Sequence, residues 1–105
     1  MRRSSCDILT SRSTPVKDIV LTEYMLYRAA QRNYDLDRIK EILRFSTERY
    51  LDSETGRTVA VGTHRDKLVV IPYEETESTM TPITVHATSR QQIRFRINIG
   101  RFRYE

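Results

Sequence analysis

Cysteine, histidine, glycine and tryptophan are scarce in this 105-residue chain, which has one, two, three and none of them respectively. A lone Cys6 excludes an internal disulfide, and with two histidines no zinc-ligand set of recognisable spacing can be written, so neither a metal nor a cofactor is expected. The few glycines form no G-x-x-x-x-G-K-[ST], G-x-G-x-x-G or G-x-S-x-G pattern, which argues against nucleotide-triphosphate chemistry. No apolar run approaches the ~18–20 residues that cross a bilayer, and Met1-Arg2-Arg3-Ser4-Ser5-Cys6-Asp7 is not followed by a signal-peptide core. The expectation is a cytoplasmic protein without membrane contact.

What remains is polar and periodic. Hydrophobic residues make up 38% and charged residues 30%, but the apolar positions cluster in periodic runs, which argues for a folded chain of one domain. Charge is distributed unevenly. Residues 1–88 hold 13 basic and 13 acidic side chains, whereas residues 89–105 hold five arginines against one glutamate, so the net charge of +4 resides at the C-terminal end. Concentrated positive charge suits nucleic acid, and an acidic protein partner would satisfy it equally.

Residues 1–15, rich in Ser, Thr and Arg, read as a flexible arm with Ile8-Leu9 as at most a short edge strand. Thr22 is placed to cap a helix over about 22–33, with Leu21 and Leu26 as a hydrophobic staple. Asp35 repeats the pattern for a helix over about 36–45, with Tyr34 and Ile39 as the staple. From Glu48 the period shifts toward two: ERYLD, RTVAVGT, KLVVIPY and PITVHAT predict four strands, the first three in an antiparallel meander. Pro72 lacks an N–H and should sit at an edge, a bulge or a ladder end, and EETESTMT reads as a loop. Beyond Ser89 two structures compete. Arg94 to Ile99 alternates like a strand, yet Ser89 as cap, Ile93 and Ile97 on one face and Gly100 as terminator favour a helix. The expected class is α+β, two N-terminal helices covering one face of an antiparallel sheet of about four strands, with a C-terminal helix.

The order LTEYMLYRAAQRN, second helix, three-strand meander and ITVHATSRQQIRFRINIGRFRYE resembles, over residues 18–101, a bacterial domain-of-unknown-function family allied to the BrnT and RelE-like toxins. In that family an early helix carries Thr/Ser-x-His-x-x-x-Arg-x-x-x-Arg, and the last strand runs into a Ser/Thr-Arg-rich helix. The resemblance implies a compact RelE/barnase-like domain over residues 16–105. It also implies a type II toxin that cleaves RNA or blocks translation at the ribosome and is neutralised by a cognate antitoxin. Arg28 and Arg32 match the helix pattern, but Tyr24 stands where the histidine belongs. With a reference pKa near ~10 a tyrosine is a poor general base at neutral pH, so catalysis by a histidine at this position is excluded.

Tyr24, Arg28 and Arg32 recur every four residues and line one helix face, offering guanidiniums for phosphate and a ring for an unpaired base. A solvated face with Tyr24 half buried explains the same spacing. His86, near the end of the last predicted strand, is the best acid/base candidate, with Arg28, Arg90 and Tyr24 as its catalytic companions. A packed strand histidine is the bland alternative. Arg90, Arg94 and Arg96 extend the RNA-binding set, or belong to an ordinary charged helix. Phe102 and Tyr104 on a short tail are hard to bury and read as a seam for an antitoxin or a homodimer. His64 is expected to be a solvated turn residue, and Glu74, Glu75 and Glu77 solvent-facing rather than a paired-carboxylate site. A non-catalytic protein-binding or regulatory module that keeps the fold is the alternative to an RNA-cleaving toxin.

Overall fold

A computed structural model describes residues 17–104. The expected arm at residues 1–15, with Cys6 and Ile8-Leu9, lies outside the described residues. After a two-residue strand β1 (Asp18–Ile19), helix α1 (Glu23–Arg32) begins where Thr22 Oγ1 accepts the Met25 N–H at 3.1 Å. It ends at Asn33, whose left-handed φ of 59° returns the chain. Asp35 Oδ1 accepts the Asp37 N–H at 3.0 Å and opens α2 (Leu36–Phe45). Both caps are the residues the sequence singles out. Of the two staples, Tyr34 packs on the core cluster that contains Ile39, whereas Leu26 remains exposed.

The chain then forms β2 (Glu48–Asp52), β3 (Thr58–His64), β4 (Lys67–Glu75), β5 (Thr79–Pro82), β6 (His86–Thr88), α3 (Arg90–Asn98) and β7 (Phe102–Tyr104). The fold is α+β, and the sheet is larger than the expected four antiparallel strands. Seven strands run in the order β1-β5-β4-β3-β2-β7, with β6 also on β4, and β1 is parallel to β5. The additional strands are short. Two residues of β1 leave no period-two signal; β5 lies in the segment read as a loop, with Met80 and Pro82 buried and Thr79 and Thr81 half-buried; β7 lies beyond the Gly100 turn.

The predicted PITVHAT strand is split by Pro72. Ile83 N donates to Pro72 O at 2.8 Å, and because N and O of a strand residue face the same neighbour, the absent proline donor meets the break between β5 and β6. β4 therefore carries two short strands on one edge, as the ladder-end reading of Pro72 requires.

Side-chain alternation divides the core between the two faces. Met25, Ile39, Ile42 and Leu43 of α1 and α2 pack on Ala60, Val69, Ile71 and Tyr73. Ile93 of α3 packs on Tyr50, Val59, Val61, Val70 and Phe102. The two N-terminal helices cover one sheet face, as expected, and α3 lies on the opposite face. A Cβ on Gly62 would sit 2.7 Å from Ile42 Cγ1, so only glycine lets α2 approach β3 this closely. Arg49 fastens the end of α2, donating to Leu43 O at 2.6 Å, Ser46 O at 3.0 Å and Tyr73 Oη at 2.8 Å. No helix among the described residues is long and apolar enough to cross a membrane.

Candidate active site

Because α3 covers only part of its sheet face, a cleft of about 510 Å³ opens beside it. Val59, Val70 and Pro72 contribute apolar surface, and the polar groups include Arg57, Thr84, His86, Gln92, Arg96 and Arg101, with Asp52 beside Arg101 as the carboxylate. His86 opens β6 opposite Val70, an edge position that leaves it only partly covered. From α1, Arg28 Nη2 reaches His86 Nδ1 at 3.2 Å. A guanidinium can only donate, so Nδ1 accepts and the neutral ring carries its proton on Nε2.

Partial burial is the largest cause holding the His86 pKa below its ordinary value, followed by the positive charges of Arg28, Arg96 and Arg32. A neutral imidazole at pH 7 follows, ringed by three cations. Two polar atoms nearby are buried without a hydrogen-bond partner among the described residues, Arg28 Nε and Thr84 Oγ1, and Thr84 lines the cleft. Among the described residues no three His, Cys, Asp or Glu side chains cluster as a metal site.

Not every arginine presents a free charge. Arg90 is engaged by Glu48, Arg101 lies 3.2 Å from Asp52 and 3.7 Å from Glu54, and Arg57 lies 3.1 Å from Glu74. Arg28, Arg32, Arg94 and Arg96 form no carboxylate pair among the described residues. Hydrogen bonding to Arg90 holds the Glu48 carboxyl low against the opposing effect of its burial. Burial and the bond that Tyr50 donates to Glu48 push the Tyr50 hydroxyl up to about 12.

The four residues read as catalytic are therefore separated into three places. His86 and Arg28 meet, whereas Arg90 is bound to Glu48 outside the lining of the cleft, and Tyr24 is exposed a turn before Arg28. In the RNA-binding set, Arg96 enters the cleft with its guanidinium 5.5 Å from the Phe102 ring, Arg32 adds charge beside His86, and Arg94 is exposed on α3 outside the cleft. Phe102 is not a free aromatic: pairing of β7 with β2 stacks it on Tyr50 at 5.6 Å and leaves it 3% exposed, whereas Tyr104 is 77% exposed.

His64 is also corrected. It is buried, its Nε2 accepts the Asp35 N–H at 2.8 Å, and its ring meets Tyr34 edge-on at 5.1 Å, so it secures the start of α2. Glu74 and Glu75 are held in surface pairs with Arg57 and Lys17. Arg57, Thr84 and Gln92 line the cleft without being among the residues the sequence singles out. The spacing of Gln92 from Arg96 signals a shared helix face, but Arg57, just before β3, and Thr84, between β5 and β6, reach the cleft only through the long-range arrangement of the sheet. No family model matches this chain, and neither a curated protein nor a solved structure matches it.

Proposed function

We propose that this protein is an RNA-directed toxin acting as a metal-independent endoribonuclease, with His86 as the base. The observation that carries the reading is the neutral His86 at the mouth of a polar cleft, surrounded by Arg28, Arg32 and Arg96, none of them neutralised by a carboxylate among the described residues. RNA cleavage without metal needs a base for the 2′-hydroxyl proton and cations for the developing phosphorane. In the resting protein Arg28 occupies His86 Nδ1. A substrate phosphate draws Arg28 onto its oxygens and frees that nitrogen. The 2′-oxygen loses its proton to His86 and bonds to phosphorus. The bond to the 5′-oxygen breaks, and the departing oxygen takes a proton from water. The products are a 2′,3′-cyclic phosphate and a 5′-hydroxyl, and the imidazolium returns its proton to solvent.

The architecture supports the RelE/barnase-like reading: two helices on one sheet face and a third beside an open cleft on the other. Expression in a bacterial host tests the biological role. Growth arrest by the wild type, abolished by His86→Ala and relieved by a neighbouring gene, fits a toxin with a cognate antitoxin. Harmless expression without RNA decay opposes it. One observation favours a second reading, a non-catalytic binding module: the bond from Arg28 ties up the nitrogen that a base would use. In that case RNA or protein binding survives His86→Ala and no cleavage occurs.

A further inference from the structure

On the other side of β6 from His86 lies a second pocket, of about 250 Å³, which the reaction above does not use. It is lined by Arg32 at the end of α1, by His64, Arg65, Asp66 and Lys67 where β3 turns into β4, and by Ala87 of β6. Three cations thus face one carboxylate. Neither Arg32 nor Lys67 pairs with an acid among the described residues, and Arg65 spends one donor on the Asn33 carbonyl, at 2.9 Å. Arg65 also holds a φ of 59°, where a glycine or asparagine would sit with less strain; as arginine it adds a cation at the pocket.

Two residues link this pocket to the cleft. Ala87 lines both, and Arg32 lines the pocket while its charge acts on His86. The outer edge of β6 between them, which pairs with no strand among the described residues, is a path that an extended single strand can follow. We infer that an RNA strand whose scissile phosphate lies at His86 crosses β6 and seats a neighbouring phosphate between Arg32, Arg65 and Lys67. This rests on the RNA-directed reading and adds to it a second phosphate subsite, so that recognition extends over several nucleotides of single strand. Cations on a turn bind backbone phosphate without reading bases, so the subsite contributes affinity and register rather than sequence preference.

The test compares binding of 2′-O-methyl oligoribonucleotides, which cannot be cleaved, of two and of six residues. Wild-type protein binds the six-residue strand more tightly. The Arg65→Asn/Lys67→Gln variant, in which asparagine suits the left-handed turn, loses that gain by roughly tenfold or more, and its salt slope falls by ~0.7 for each phosphate that is no longer neutralised. Asp66→Asn removes the one carboxylate and tightens binding of the six-residue strand, a gain that misfolding cannot mimic. Equal affinity and slope for wild type and double variant, or equal losses on both lengths, overturn the subsite even if the protein cleaves RNA. Failure of the wild type to bind or cleave any RNA overturns both the subsite and the reading beneath it.

Discussion

Arg28 Nη2 lies 3.2 Å from His86 Nδ1, joining the first helix to the sixth strand across 58 positions of sequence. The contact places a permanent cation on the imidazole nitrogen that needs its lone pair. Protonation of His86 is therefore disfavoured by its burial and by Arg28, Arg96 and Arg32.

Replacing Arg28 by Gln removes one of these causes, so the His86 pKa rises toward its ordinary value of 6.5. The acid limb of the pH–rate profile, where a general base is lost to protonation, moves to higher pH. Stability responds in the same sense. In the wild type the unfolded chain takes up a proton near pH 6.5 that the folded chain refuses, so the contribution from His86 is complete above pH 6.5 and is lost as pH falls toward the depressed folded value. Titration of the ring by NMR in both proteins checks this; coincident curves contradict it.

The arginines of α3 should differ in their effect on RNA. Arg96→Ala removes a cation from the cleft and weakens binding, with the salt slope lower by ~0.7 for one single-strand phosphate. Arg90→Ala has the smaller effect, because Glu48 already engages that guanidinium. Fluorescence titration of labelled RNA at several salt concentrations decides the order, and a larger loss for Arg90 refutes it.

Asp52 is buried, and its carboxyl is held below the ordinary value. Burial pushes it up, but hydrogen bonds from Arg101 and from the Glu54 backbone outweigh that. Arg101→Ala leaves this charge unpaired and costs about 2 kcal/mol, a reduced share of a buried pair because Arg101 remains partly in water. The difference is present above the ordinary pKa of 3.8 and disappears as pH falls through the lowered value. Urea unfolding of both proteins at pH 7 and at pH 3 measures it.

Gly62→Ala drives a methyl into Ile42, whose Cγ1 and Cγ2 lie 2.7 and 2.8 Å from the new carbon, and costs about 1–3 kcal/mol. Trimming the neighbour in Gly62→Ala/Ile42→Val recovers part of the loss if the clash is the cause. Denaturant midpoints of the two variants separate relief from simple additivity.

Local signals carried the helices into view. Thr22, Asp35 and Ser89 are each short polar residues before an apolar period, and each caps its helix as the sequence implies. Beyond the three-strand meander, strand pairing was not legible. β1, β5 and β7 are two to four residues long, too short for periodicity, and Phe102 looks like a sticky tail until β7 is laid against Asp52. The site divides in the same way. His86 stands out by its chemistry, Arg28 by its helical spacing between Tyr24 and Arg32, and their meeting depends on β6 occupying the edge that Pro72 leaves divided. The ion pair that engages Arg90 is formed with Glu48, 42 residues away, which no local spacing can disclose.

The role of His86 is tested most directly by single-turnover cleavage of an end-labelled RNA in the presence of a chelator, with wild type and His86→Ala side by side. The wild type is expected to cleave, leaving a 2′,3′-cyclic phosphate and a 5′-hydroxyl, and the folded variant to be slower by roughly 10²-fold or more. Cleavage that needs a metal, or that proceeds equally without His86, contradicts the assignment.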